Sequence, residues 1–330
     1  MAPHFLLAFI AGVGLGGIGV GTTIVFPLLA AFCGVLAALA VLDKKRLYAF
    51  LLVLFLLLGM ARTGFGAIEL SFLESSRERL KSAVGVISQN LSQALVEPYA
   101  SYASGILVGD RSGIPLELRD AFYKTGTSHI MALSGYNVTI IIDFLGKIFG
   151  GFWLSTIGVV LFVLATGAAP SLVRASIMGI LVLLTKKYGH GYRAGHALLA
   201  AVALMLFFDS QLLLGDLGFQ LSVAATAGLI WFVPEWQKQL KNMPSMFGLR
   251  DALITTIAAQ LATLPLILWY FGGVSWVSLP ANVLVQIAMP GAMFFTFLAG
   301  VFGLISHVFA WPAFVFLAYQ IFVVRFFAAL

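Results

Sequence analysis

Long apolar runs recur along almost the whole chain, and they restrict its fold more than any other feature. Many of them reach the ~17–25 residues that a helix needs to cross a bilayer. A segment in lipid must satisfy its own backbone hydrogen bonds, so each run is predicted to be a helix. The runs are 5–20, 24–42, 47–61, 127–146, 152–168, 170–185, 195–208, 212–233, 252–271, 274–289, 290–306 and 308–328.

The composition excludes a soluble globular protein. Of the 330 residues, 61% are hydrophobic and 10% are charged, whereas soluble chains have about 45–50% apolar and about 25% charged residues. We therefore predict an all-α, polytopic transmembrane helical bundle with about 10–12 membrane segments. Pro280 and Pro290 interrupt the apolar stretch near the end of the chain, so we expect some segments to be broken or re-entrant.

One stretch, residues 63–126, mixes charged with apolar side chains and differs from the rest. Helical periodicity extends from Ser82 to Leu107 and is interrupted at Glu97-Pro98, which indicates helices outside the membrane or at its surface. We predict three parts. They are N-terminal transmembrane spans (1–62), a short extracytoplasmic or interfacial helical region (63–104) and a second transmembrane domain (105–330).

The basic residues indicate orientation. Part of the net charge of +6 lies in short loops between apolar runs, and basic loops face the cytoplasm. Residues 62–147 carry eight basic and eight acidic side chains, a balance expected of an exported segment. A multi-pass protein of the cytoplasmic (inner) membrane is predicted. The basic loop residues are Lys44, Lys45, Arg46, Lys186, Lys187, Arg193, Lys238, Lys241 and Arg250.

Polar side chains at membrane depth cost free energy, so each one needs a physical reason. On one regular helix His129, Tyr136 and Asp143 would fall within about 40° of one another. Such a stripe is a hydrogen-bond seam between helices, a wall of a hydrated path, or a site for a catalytic histidine. The candidate residues in this part are Asp110, Arg111, Ser112, Arg119, Thr125, Thr127, Ser128, His129, Ser134, Gly135 and Asn137.

Arg174 is the most costly of the later polar residues. It either extends to the outer headgroups or faces an anionic permeant. Shorter polar stripes follow, and each alone is typical of a packing seam, whereas several in one bundle favour a shared hydrated cavity. The later candidates are Ser171, Arg174, Gln220, Ser222, Gln260 and Asn282.

Several of these segments together resemble the competence domain of the ComEC family. The order and approximate spacing fit over about 100–310, and residues 1–62 resemble the N-terminal spans of the family. The matching segments are 105–113 (GILVGDRSG), 118–122 (LRDAF), 125–129 (TGTSH), 132–138 (ALSGYNV), 169–175 (APSLVRA), 218–222 (GFQLS) and 279–284 (LPANVL).

The resemblance implies an inner-membrane channel that takes up single-stranded DNA in natural transformation. Implied partners are single-stranded DNA, the lipid bilayer, a DNA receptor, a separate nuclease, a cytoplasmic motor ATPase and a second copy of the chain. Many members have Leu-His where this chain has Tyr136-Asn137. Many also carry an OB-like domain and a metallo-β-lactamase-like nuclease domain. Only the short region 63–104 stands in place of the former.

We expect no enzymatic activity from this polypeptide. It contains no metal-ligand cluster of the nuclease type and no G-x-x-x-x-G-K-[ST] phosphate loop, so we assign no catalytic residue, metal or cofactor. One alternative is a small-solute or ion-coupled permease, which proline-broken helices suit. Another is an intramembrane enzyme built on His129 and Ser134, but on one regular helix these side chains diverge by about 140°.

The predicted orientation can be tested with cysteine labelling. Cys33 is the only cysteine, so single-cysteine variants can be made in a Cys33→Ala background. Lys81→Cys is expected to react with an impermeant maleimide from outside, whereas Lys187→Cys should react only after permeabilisation, because Lys187 belongs to a basic loop. Labelling of both positions from one side would refute this orientation.

Overall fold

The structure is a computed structural model that describes residues 3–18, 44–64, 74–131, 133, 135, 137–142, 152–188, 191–241, 249–303 and 307–330. All regular structure among these residues is helical. In chain order the α-helices are α1 (Pro3–Gly17), α2 (Lys44–Arg62), α3 (Glu74–Ala94), α4 (Tyr99–Val108), α5 (Leu116–Lys124), α6 (Phe152–Ala165), α7 (Pro170–Tyr188), α8 (Ala194–Phe208), α9 (Leu212–Gly215), α10 (Leu217–Gln239), α11 (Leu249–Phe271), α12 (Ser278–Phe302) and α13 (Ala310–Ala328).

Within the described part of the chain, four helices are long and apolar enough to cross a membrane, namely α10, α11, α12 and α13. Five shorter apolar helices accompany them, of which the first is α1 and the last is α8. The prediction of an all-α membrane bundle is therefore confirmed. The apolar run 24–42 lies outside the described residues.

The chain falls into two compact units. Unit 1 contains Met1–Leu70 and Gly189–Val223, and unit 2 contains Ser71–Tyr188 and Ala224–Leu330. The boundary between Val223 and Ala224 falls within α10. The three-part division by sequence, at residues 62 and 104, stays a prediction.

Glycines determine the packing of α1 against α2 in unit 1. A Cβ on Gly12 would collide with the carbonyl oxygen of Leu56, and one on Gly59 would collide with that of Phe9. A Cβ on Gly16 would meet the side chain of Thr63. The small-xxx-small spacing of Gly12 and Gly16 therefore permits the close helix contact that such spacing predicts.

An arginine caps a helix end in the same unit. Arg62, the last residue of α2, is buried, and its guanidinium donates to the carbonyl oxygens of Phe207 and Phe208. These are the last carbonyls of α8, which have no partner within the helix. A cation is also favoured there by the helix dipole.

The interior of unit 2 is built around α4, α12 and α13. Residues 100–108 of α4 are all buried. The hydroxyl of Tyr102 lies 3.0 Å from Gln320 Oε1, and Gln320 Nε2 donates to the Val285 carbonyl at 3.2 Å. Both side chains are fully buried. A polar chain thus links the three helices inside an apolar core.

The predicted break at Pro280 and Pro290 is wrong, because α12 continues from Ser278 to Phe302. Pro280 lies in the first turn, where backbone N–H groups have no intrahelical partner. Pro290 lies inside the helix, and Gly291 follows it against the ring of Phe316. Neither proline divides the segment.

Breaks occur at two other places. The run 212–233 is divided at Asp216, between α9 and α10. The run 127–146 begins as a 3₁₀ turn, Ser128–Met131, and Leu133 is not helical. The prediction of one regular helix carrying His129, Tyr136 and Asp143 is therefore wrong, and Tyr136 and Asp143 lie outside the described residues.

Candidate functional site

The segment Thr125-Gly126-Thr127 ends α5 in a left-handed turn. Gly126 has φ +63°, a conformation that glycine adopts without steric cost. Its N–H donates to Tyr123, and the Thr127 N–H donates to Phe122, which is the Schellman pattern of helix termination. The hydroxyls of Thr125 and Thr127 lie 2.7 Å apart and are fully buried. This segment is thus a helix stop whose two threonine side chains are buried.

Gly126 also touches the start of α12. A Cβ on Gly126 would lie 2.8 Å from Ser278 Cβ. Asn282 Nδ2 donates to the Ser278 carbonyl at 2.7 Å and to the Gly126 carbonyl at 3.4 Å. From α11, Gln260 Nε2 donates to Ser278 Oγ at 3.0 Å. We call Thr125, Gly126, Thr127, Gln260, Ser278 and Asn282 the α11–α12 polar cluster.

Asn282 still has unused bonding capacity in this cluster. It is 3% exposed, and its Oδ1 has no hydrogen-bond partner among the described residues. A buried amide oxygen without a donor costs free energy. Asn282 Nδ2 is bonded to Ser278, one turn earlier on α12. The cluster can therefore still accept a hydrogen bond.

Arg174 belongs to a second group, together with Leu133 and Gly135. Only 6% of Arg174 is exposed, which is inconsistent with a side chain that extends to the headgroups. A Cβ on Gly135 would lie 3.4 Å from Arg174 Nη2, and Arg174 Nη1 lies 3.7 Å from Met178 Sδ. Ser171 Oγ donates to the Leu133 carbonyl at 3.5 Å. Gly135, which is distant in sequence from Ser171 and Arg174, is therefore their neighbour.

Asn137 anchors the next turn to α4. Its Nδ2 donates to the Ile106 carbonyl at 3.1 Å, and the residue is fully buried. A Cβ on Gly105 would lie 2.9 Å from the Met131 carbonyl. Ser134 lies outside the described residues, while Ser128 and His129 form the 3₁₀ turn, where His129 is exposed.

Asp110, Arg111, Ser112 and Arg119 lie on the surface. Asp110 Oδ1 accepts hydrogen bonds from Ser112 Oγ at 2.7 Å and from the Ser112 N–H at 3.0 Å, and these bonds lower the pKa of Asp110. Arg119 Nη2 donates to the Arg111 carbonyl at 2.9 Å. Asp110, Arg111 and Ser112 thus form a polar surface loop, which Arg119 of α5 contacts.

Residues 106–330 match the competence protein family, over well above half of the chain. The chain belongs to the competence protein family. The resemblance to ComEC proteins is thereby confirmed, and both buried groups lie within the matched region.

Two curated relatives agree with this assignment. The chain is 31% identical over 187 residues to ComE operon protein 3 of Bacillus subtilis (strain 168), covering 54% of this chain and 23% of that protein. It is 27% identical over 226 residues to the uncharacterized protein YcaI of Escherichia coli (strain K12), covering 62% of this chain and 29% of that protein. The alignments thus span about a quarter of each relative. No solved structure matches.

Gln220 and Ser222 of this competence family chain belong to unit 1. Gln220 Nε2 donates to the Leu213 carbonyl at 2.9 Å and to that of Leu214 at 3.2 Å. Asp216 Oδ1 accepts from the Phe219 N–H at 2.6 Å. Gln220 and Asp216 therefore stabilise the junction between α9 and α10.

Sequence reasoning missed Ser278, Tyr102 and Gln320. Ser278 is recognisable from its i, i+4 spacing to Asn282 on α12. Gln320 is an isolated amide within an apolar run, and a polar group at membrane depth always needs a partner. Nothing in the sequence distinguishes Tyr102 from other tyrosines, because its partner lies 218 residues away.

The close contact at Gly126 can be tested against a matched glycine. Gly272 also has positive φ, at +71°, but a Cβ there would meet nothing within 4 Å. Alanine at either position pays about 1–2 kcal/mol for the left-handed conformation. Gly126→Ala must also displace Ser278, at an overpacking cost of about 1–3 kcal/mol. We therefore expect a larger fall in Tm for Gly126→Ala, measured in detergent.

Adding Ser278→Gly should recover part of the Gly126→Ala loss, since it removes the Cβ that the alanine would meet. Equal losses for Gly126→Ala and Gly272→Ala would contradict this contact.

Proposed function

We propose that the chain forms an inner-membrane channel for single-stranded DNA in natural transformation. The observation that carries the proposal is the buried Arg174, which α7 holds beside Gly135 within the matched family region. Burying a guanidinium inside a membrane helical bundle costs free energy, and residues of this kind mark pathways for substrates or ions. Phosphate is among the groups that a planar guanidinium binds best.

The remaining polar groups suit a hydrated path. The α11–α12 polar cluster and Asn137 place amides and hydroxyls within an apolar bundle without adding acidic groups. A path for a polyanion has to be polar and not acidic. The cytoplasmic membrane is proposed as the location, from the basic loops. A DNA receptor, a cytoplasmic motor ATPase and assembly with a second copy remain proposals derived from the family.

The permease alternative loses its main support. It rested on a helix broken by Pro280 and Pro290, and α12 is continuous through both. The enzyme alternative rested on His129 and Ser134, of which Ser134 lies outside the described residues.

Substitutions at Arg174 test the channel. If phosphate passes this guanidinium, DNA uptake should fall in the order wild type, Arg174→Lys, Arg174→Ala, Arg174→Glu. Lysine keeps the charge but loses the planar fork. Loss of one charge-assisted contact predicts a decrease of about tenfold or more for alanine. Transformation frequency and membrane abundance should be measured together.

Each alternative role for Arg174 predicts a different result. An arginine with a purely structural role would show reduced protein abundance in the alanine and glutamate variants. Normal uptake by Arg174→Glu at normal abundance would rule out the role in the channel.

We further propose that this polypeptide transports DNA without cutting it and that a separate nuclease removes the second strand. The proposal rests on the missing nuclease-type ligand cluster in its sequence. Purified protein incubated with labelled DNA and Mn²⁺ or Zn²⁺ should leave the DNA intact. Degradation that co-purifies with the polypeptide, and that disappears with a chelator, would overturn this proposal.

A further inference from the structure

A small pocket opens where the loop after α4 meets α5 in unit 2. Its volume is about 190 Å³, and it is lined by Arg111, Ser112, Arg119, Tyr123 and Met131. Met131 is 1% exposed and forms an apolar wall, whereas 60% of Tyr123 is exposed. The pocket therefore combines two guanidiniums, a hydroxyl, an accessible aromatic ring and an apolar surface.

The two guanidiniums are not neutralised by neighbouring carboxylates. Asp110 precedes Arg111 and Asp120 follows Arg119 in the sequence, but among the described residues no ion pair joins either arginine to a carboxylate. Asp110 Oδ1 accepts hydrogen bonds from the Ser112 hydroxyl and N–H. The ion pairs observed among the described residues, Lys238–Glu235 and Arg250–Asp251, lie elsewhere in the chain. Arg111 and Arg119 thus keep their charge available for an anion.

One of these arginines is already positioned. Arg119 Nη2 donates to the Arg111 carbonyl at 2.9 Å, which fixes the guanidinium against the loop. A positioned cation loses less conformational entropy when it binds a ligand. The remaining guanidinium N–H groups can donate to phosphate oxygens in a planar fork.

The volume of the pocket and the ring of Tyr123 further restrict the class of ligand. Sites for drug-sized molecules measure about 300–1,000 Å³, so this smaller, open pocket can enclose only part of a nucleotide, such as its phosphate. Proteins hold single strands by combining cationic grooves with aromatic side chains on which bases stack. The bases of a duplex are stacked on one another and cannot use such a ring.

We propose that this pocket binds one nucleotide of a single DNA strand, with the phosphodiester on Arg111 and Arg119 and the base on Tyr123. The inference rests on the proposed DNA transport and specifies where the strand first makes contact. A lipid headgroup offers the same phosphodiester. The accessible ring of Tyr123, on which a base can stack and a headgroup cannot, favours the strand.

The test is binding of a fluorescein-labelled oligothymidylate to the full chain in phosphatidylcholine nanodiscs, followed by anisotropy over a range of salt. Arg111→Ala and Arg119→Ala should each weaken binding and lower the salt slope by about 0.7, the value for one lost phosphate contact on a single strand. Arg79→Ala is the matched control, because Arg79 is an exposed arginine on α3 outside the pocket.

The aromatic contact has its own readout. Tyr123→Ala should weaken binding about 5- to 150-fold with an unchanged salt slope, since stacking involves no counterion release. Tyr123→Phe keeps the ring and should bind like the wild type. A duplex of the same sequence should bind more weakly than the single strand and be insensitive to Tyr123→Ala.

Three results would overturn the proposal. If Arg111→Ala and Arg119→Ala bind with wild-type affinity and salt slope, the arginines do not contact phosphate. If Tyr123→Ala weakens duplex binding as much as single-strand binding, the ring does not stack on a base. If the variants change only the retention of phosphatidylglycerol, measured by native mass spectrometry, the ligand is a lipid. If these binding results fail while transformation still depends on Arg174, only the nucleotide-binding role of the pocket is refuted. If transformation does not depend on Arg174, the proposed channel is refuted.

Discussion

The interior of each unit depends on side-chain donors that bind backbone carbonyls of another element. In unit 2, Asn137 donates to Ile106, Gln320 to Val285 and Asn90 to Gly300. In unit 1, Arg62 and Gln220 do the same at the ends of α8 and α9. Lipid offers no replacement partner for a buried N–H group. Apolar contacts alone would allow several arrangements of the helices. These hydrogen bonds therefore select one of them.

Close backbone approach makes such bonds possible. Amide side chains are short, so the helices must come near enough for the donors to reach a carbonyl. Gly12 and Gly59 bring α1 and α2 together, and Gly126 brings the end of α5 to the start of α12. At Gly126 the left-handed conformation and the contact with Ser278 both require glycine. Turn chemistry and helix packing thus meet at one residue.

The candidate polar residues divide by environment, as the proposed channel would require. Arg174 and the α11–α12 polar cluster are buried among helices, where water and anions have to be admitted for them to act. Arg111, Arg119 and Tyr123 are accessible at the surface. The first set suits passage of a charged polymer, and the second suits its capture. Both sets lie within the region that matches the competence protein family.

The sequence by itself determined the helical class, the membrane environment and the family, because apolar run length and motif order are local properties of the chain. It also identified Arg174, Gln260 and Asn282, since isolated polar groups in apolar runs can be recognised without a structure. It failed at Pro280 and Pro290, where a proline's effect depends on its position within the helical turn. Partners were decided only by the tertiary structure. Tyr102 contacts Gln320, Gly135 lies beside Arg174 and Gln260 binds Ser278. A buried donor binds the acceptor that lies nearest in space, and the spacing of residues along the chain does not reveal which acceptor that is.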